Sequence, residues 1–255
     1  MLPRDAIAAA IQSSVARGRP ALVGYLTAGY PTRREFGRNL AAVAGSCDVV
    51  EIGVPFSDPM ADGTTVQRAS FKALADGVNL PWIIEQLKSV QPRAKAPILL
   101  MSYLNPLLAY GWQTLPRDAA AAGVSGFIVP DLPFEESADL SQALEHEGLA
   151  LVQMVTPVTP PERLTMLCRA AKGFVYAVTM TGTTGKAVDV PVEVLQYMDR
   201  VKRCSTVPVC AGFGIRSRQQ VARLAPHVDG VVVGSALVEV LERGEDVTAF
   251  LESLR

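Results

Sequence analysis

CDVVEIGVPFSDPMADG, residues 47–63, is the stretch from which the rest of the chain can be read. Its first eight residues form a short, nearly continuous apolar run. Such a run suits a strand buried on both faces rather than one with a wet side. Proline, aspartate and glycine then break the run into a loop, and TTVQRASFKALAD (64–76) follows as a helix that stops before Gly77. Strand, polar loop and helix make one β/α unit.

The same unit recurs along the chain. Further apolar runs are ALVGYLTA (21–28), APILLMSY (96–103), GFIVPDL (126–132), LALVQMVTP (149–157), GFVYAVTM (173–180), VPVCAGFG (207–214) and DGVVVGSA (229–236). With 47–54 they number eight. Helical readings fall between them. Residues 32–44 start with Thr32 as N-cap and end before Gly45, and 81–90 open on Pro81. Others are 115–122, 134–147 (stopping at Gly148), 160–171, 191–203, 216–224 and 235–243, with 3–17 opening the chain and 245–254 closing it. Eight strand–helix units without a low-complexity linker predict an α/β fold, a single (β/α)8 TIM barrel over 1–255 with an extra N-terminal helix. A doubly wound open sheet is the rival, though it usually has fewer strands.

Composition narrows the function classes. The 255 residues are 49% hydrophobic and 19% charged, enough to bury a large core and inconsistent with intrinsic disorder. A net charge of −1 gives no electrostatic footprint for nucleic acid or an anionic membrane. The two histidines, His146 and His227, argue against a multi-histidine metal centre. The opening residues lack the apolar core of a signal peptide, and no apolar stretch approaches the ~18–20 residues of a membrane span. Cys47, Cys168, Cys204 and Cys210 form no CxxC pair and read as small buried hydrophobes in a cytoplasmic protein.

In a barrel, chemistry belongs at the C-terminal ends of the strands. The loop after the second strand carries three carboxylates, Glu51, Asp58 and Asp62. Glu51 sits inside the apolar strand and shares a face with Val49, so it points either into the barrel or against the helices. A buried Glu held only by hydrogen bonds is the structural alternative. A charge at the end of a buried strand is costly, however, and burial raises its pKa, as suits a group that both takes and gives a proton. Asp62 could equally be a turn residue or the N-cap of the following helix, and Asp58 before Pro59 reads more readily as a turn. Glycines at three further strand ends, in Thr181–Gly185, Gly212–Gly214 and Gly234–Ser235, bare backbone N–H groups near helix starts and suggest a phosphate site. GTTGK (182–186) is not a P-loop and GFGIRS (212–217) is not a dinucleotide fingerprint. Tyr25, Leu100, Tyr103, Phe127, Tyr176 and Phe213 dot the mouth with apolar and aromatic surface. Residues alone therefore predict a barrel enzyme. It binds a phosphate monoester joined to an apolar or aromatic group and acts by carboxylate acid–base catalysis, with no metal and no cofactor.

EIGVPFSDPMADG (51–63), YLTAGYP (25–31), MSYLNPLLAYG (101–111), VPDLPFEES (129–137), AGFGI (211–215) and GSALV (234–238) together resemble the tryptophan synthase alpha subunit family, in family order and over nearly the whole chain. The resemblance implies retro-aldol cleavage of indole-3-glycerol phosphate to indole and glyceraldehyde 3-phosphate. It implies Glu51 as the acid–base residue and Asp62 as the carboxylate facing the indole N–H. Tyr25, Leu100, Tyr103 and Ile128 would line the indole pocket, and Tyr176 would lie near the glycerol part. Gly185, Gly214, Gly234 and Ser235 would cradle the phosphate beside Phe213 and Ile215, with Thr184 in a loop closing near Asp62. A beta-subunit partner in an alpha2beta2 complex is implied too, carrying its own pyridoxal phosphate, while this chain needs no cofactor. Pro55, Asp58 and the 102–111 and 131–135 loops would carry that contact. Thr64 stands where the family often has Pro, and Thr183 departs from the usual loop pattern, which bears on loop closure. A stand-alone lyase and a non-catalytic phosphate-binding scaffold are the other readings.

Overall fold

The computed structural model describes residues 1–90, 95–178, 190–212 and 214–255. Each of the eight apolar runs contains a strand: β1 (Ala21–Thr27), β2 (Val49–Gly53), β3 (Ile98–Met101), β4 (Val124–Ile128), β5 (Ala150–Val155), β6 (Val175–Val178), β7 (Val209–Gly212) and β8 (Gly230–Val233). All pair in parallel with their sequence neighbours, and β1 pairs with β8, so the sheet closes into a barrel. The rival open sheet is thereby excluded.

Closure gives each strand two dry faces. Leu22, Leu26, Val50, Ile52, Val209 and Val231 turn outward into the layer shared with the helices, while Val23, Val49, Leu99, Val152, Cys210 and Val232 turn into the barrel. Burying both faces is why the runs read as continuously apolar. The helix α1 (Pro3–Ala16) brings Ile7 and Ile11, both fully buried, into the inner cluster. It thereby plugs one end of the barrel and leaves the C-terminal rim open for a site.

The remaining helices are α2 (Phe36–Ser46), α3 (Thr64–Ala75), α4 (Leu80–Val90), α5 (Leu104–Tyr110), α6 (Leu115–Ala121), α7 (Ala138–His146), α8 (Pro161–Ala170), α9 (Val192–Cys204), α10 (Arg218–Leu224), α11 (Ser235–Glu242) and α12 (Val247–Ser253). Several details depart from the sequence reading, among them the split of 134–147 into a 3-10 turn at Phe134–Glu136 and α7. Residues 33–35 form a separate 3-10 turn, and the Thr32 hydroxyl donates to Glu35 at 2.8 Å instead of capping a helix. Helix α2 runs through Gly45, tolerated in a last turn, and ends at Ser46, with Cys47 as its extended C-cap. Helix α5 was not anticipated. Its Pro106 lies in the first turn, where no intrahelical donor is lost, and the Leu104 N–H finds its acceptor on Asp131 Oδ1 at 2.9 Å.

Candidate active site

At the open rim lies a cavity of about 650 Å³. Glu51 and Asp62 line it together with Tyr25 and Tyr176. Gly212, Gly214, Gly234 and Ser235 form another part of the same wall. An acidic loop and two glycine-containing loops, all far apart in sequence, therefore meet across one space.

Glu51 keeps phase with Val49 and faces inward, resolving the choice left open by alternation in favour of the barrel interior. It is 1% exposed, and its Oε2 has no hydrogen-bond partner among the described residues. Burial pushes its pKa up to about 8, and the nearby Asp62 charge adds to the rise. The group is therefore mostly protonated at neutral pH, ready to donate.

Asp62 does not cap α3; Gly63 occupies that place and offers no side-chain cap. Instead the loop is folded so that the carboxyl enters the cavity. The Asp62 N–H donates to Pro59 O at 3.1 Å, and the Gln67 amide donates to Asp62 O at 3.0 Å and to Pro59 O at 3.3 Å. The Tyr103 hydroxyl accepts from Ala61 N–H at 2.9 Å. Burial raises the Asp62 pKa to about 6, while the interaction of Tyr103 with the Asp62 carboxylate lowers it in part. Near pH 7 one carboxyl is thus neutral and the other charged. Asp58 remains exposed in a turn, where the Ser57 hydroxyl donates to it at 2.6 Å.

Tyr25 pairs with Glu51 across β1 and β2, and its hydroxyl lies 3.2 Å from Thr27 Oγ1. Its ring fills the space above Gly53, where any Cβ would collide with it. Tyr176, inward on β6, uses Gly212 in the same way: a Cβ there would stand 2.6 Å from the ring. Burial holds both phenols well above their usual range.

Leu100 and Phe127 are corrections to the sequence reading. Both are fully buried in the outer layer against the helices, and the inward positions on β3 belong to Leu99 and to Met101, which lines the cavity. The expectation was one residue out of phase. Between β3 and β4 the register shifts at Ile98/Leu99, which resets the alternation on β4 so that Ile128 turns into the barrel core with Leu99 and Val152. The sequence reading also missed Met154, Thr156, Val178 and Val232 as cavity walls. Strand phase could have supplied Val178, two residues beyond Tyr176. Thr181, Thr184, Gly185, Lys186 and Phe213 lie outside the described residues.

At the glycine-rich wall, Gly214 adopts φ +64, a conformation that favours glycine, and Gly234 precedes the first turn of α11. Arg216 does not supply a free cation here. Its guanidinium forks onto Glu239, at 2.7 and 2.8 Å. Among the described residues no group of three His, Cys, Asp or Glu side chains is disposed to hold a metal ion, and no helix is long and apolar enough to cross a membrane.

The family model described as "Tryptophan synthase alpha chain" matches residues 11–253. The tryptophan synthase alpha chain of Desulfovibrio desulfuricans is 45% identical over 244 residues, covering 94% of this chain and 96% of its own. That of Nitratidesulfovibrio vulgaris strain DP4 is 43% identical, covering 95% of each. Among solved structures, M. tuberculosis tryptophan synthase in its aminoacrylate-bound form superposes with a TM-score of 0.88 at 37% identity, covering 98% of this chain and 97% of that one. The alpha subunit from Legionella pneumophila gives 0.88 at 32% identity, covering 100% and 97%. The chain belongs to the tryptophan synthase alpha chain family and is, with it, a lyase of tryptophan biosynthesis.

Proposed function

We propose that the chain cleaves indole-3-glycerol phosphate to indole and glyceraldehyde 3-phosphate by a retro-aldol reaction run on two carboxyl groups. The observation that carries this reading is the shared cavity: buried Glu51 and Asp62 on one wall, Gly214, Gly234 and Ser235 on another. The indole would lie against the acidic wall and the phosphate against the backbone of the glycine loops.

Protonated Glu51 gives its proton to indole C3. Positive charge then develops at the ring nitrogen, where ionised Asp62 stabilises it. The Glu51 carboxylate next takes the proton of the side-chain hydroxyl. The carbon–carbon bond breaks, its electrons return to the ring, and the aldehyde leaves. Glu51 ends as it began, so no net proton is needed. A carboxyl poised near neutral pH suits both halves of this exchange. Tyr25, Tyr103, Met101 and Met154 would bound the indole, with Ile128 in the core behind it, and Tyr176 would meet the glycerol part. By the family resemblance, Gly185 and Phe213 would complete the phosphate site and Thr184 would lie in the loop near Asp62.

Phosphate binding would rest mainly on backbone N–H groups, a role supported by the engagement of Arg216 with Glu239. The partner would be a tryptophan synthase beta subunit in an alpha2beta2 complex, holding its own pyridoxal phosphate. Pro55, Asp58 and the 102–111 and 131–135 loops, near the same rim, are its proposed contacts. Four free cysteines, three of them buried, fit a reducing cytoplasm. The test is release of indole from indole-3-glycerol phosphate, with and without a beta subunit. Release in either condition supports the reading, and stimulation by the beta subunit supports the partnership. Absence of release in both would refute it.

A further inference from the structure

The proposed phosphate wall is assembled from two separate loops, Gly214 after β7 and Gly234–Ser235 at the start of α11, and the Asp62 loop borders the same cavity. One side chain that does not line the cavity reaches all three segments. Glu239 lies one turn into α11. Its carboxylate accepts Arg216 Nη1 at 2.7 Å on one oxygen and Nη2 at 2.8 Å on the other. Arg216 is two residues beyond Gly214. The same carboxylate accepts the Thr65 hydroxyl at 3.3 Å, three residues beyond Asp62.

The far end of this link is fixed as well. The Arg216 N–H donates to Gln220 Oε1 at 2.8 Å, and Gln220 with Ser217 forms the capping box of α10. Arg216 is therefore held at its backbone by one helix and at its guanidinium by another. A bidentate fork constrains orientation as well as distance, which a single contact does not. The Glu239 side chain is 23% exposed and that of Arg216 44%, so solvent reaches the fork from the arginine side and its worth lies in geometry more than in charge.

We infer that Glu239 is a positioning residue: through Arg216 and Thr65 it sets the spacing between the two phosphate loops and their register to the Asp62 loop. This rests on the phosphate-binding reading given above. It makes a prediction that simple charge does not. Removing a carboxylate near an anion site, and freeing Arg216, strengthens anion binding if only charge matters. Loss of positioning weakens it.

The experiment is calorimetric binding of glycerol 3-phosphate, a phosphomonoester without indole, to the wild-type chain and to Glu239→Ala, Arg216→Gln and the double variant. Thermal unfolding confirms that each is folded, and the isosteric Glu239→Gln serves where Glu239→Ala is not. The expected result is a rise in Kd of about fivefold for either single variant, matched by the KM for indole-3-glycerol phosphate, with the double variant no worse than the weaker single. For Glu239→Gln the shift is smaller and in the same direction. Binding that is unchanged or tighter in the Glu239 variants overturns the inference, as does a double variant in which the losses multiply. Failure of the wild-type chain to bind glycerol 3-phosphate overturns the phosphate wall itself, an outcome distinct from the first.

Discussion

Asp62 raises the proton affinity of Glu51: the charge of the loop carboxyl adds to a rise that burial of the strand carboxyl has already produced. The two groups are thereby separated in their titration, Asp62 near 6 and Glu51 near 8. Each can then take a different role at one pH.

This separation fixes the form of the pH–rate profile. Cleavage needs Asp62 ionised and Glu51 protonated, so kcat/KM should rise through about pH 6 and fall through about pH 8. Asp62→Asn should remove the acid limb and cost on the order of a hundredfold in rate, since an ion pair at ~4 Å and an effective dielectric of ~20 is worth about 4 kcal/mol before desolvation. It should also move the alkaline limb to lower pH, because the charge that raises Glu51 is gone. An alkaline limb that stays in place would show the two carboxyls to be uncoupled.

Glu51 also lowers stability. Its carboxyl titrates near 8 when folded and near the ordinary 4.5 when unfolded. Between these values the unfolded chain has released a proton that the folded chain still holds. Wild-type stability therefore falls as pH rises through this window, and the loss is complete above the folded pKa. Urea denaturation should find Glu51→Gln more stable than wild type at pH 9, by on the order of a few kcal/mol, with the difference vanishing near pH 4. A difference of equal size at both pH values would point to packing rather than ionisation.

The space that Gly53 leaves for the Tyr25 ring can be tested by filling it. Gly53→Ala places a methyl where the ring now sits. The ring must then swing into the cavity, at a cost of about 1–3 kcal/mol for an overpacked core. Both a lower melting temperature and a raised KM are expected. A lower melting temperature with KM unchanged would mean that the strain is absorbed away from the cavity.

Leu100 and Met101 separate packing from binding. Leu100→Ala opens a hole between strand and helices and should cost about 2–5 kcal/mol of stability, with little change in KM. Met101→Ala enlarges the cavity and should raise KM, at a smaller cost in stability, because Met101 is only partly buried. Reversed outcomes would put the inward phase of β3 on Leu100 after all.

These two residues also mark where the sequence was readable. The barrel could be counted because every strand is buried twice, which leaves eight uninterrupted apolar runs. Glu51, the one charged residue in its strand, could be placed on one face with Val49, but alternation alone did not say whether that face was the inside. On β3, Ile98 to Met101 are all apolar, so nothing in the residues marks which face is inside, and the register shift against β4 adds an offset that no composition shows. Helix α5 was hidden for a related reason: its first N–H is satisfied by Asp131, 27 positions away. Asp62 was legible as a carboxylate in a turn, but its entry into the cavity depends on Tyr103 and Gln67, contacts made only on folding.

The most direct measurement is single-site turnover of Glu51→Gln, followed as indole released from indole-3-glycerol phosphate, alongside its affinity for glycerol 3-phosphate. The amide keeps the shape of the side chain and cannot relay a proton. Indole release is expected to be abolished while glycerol 3-phosphate binds as it does to wild type. Turnover near the wild-type rate in a variant that still binds the phosphate would contradict the assignment of the proton relay to Glu51.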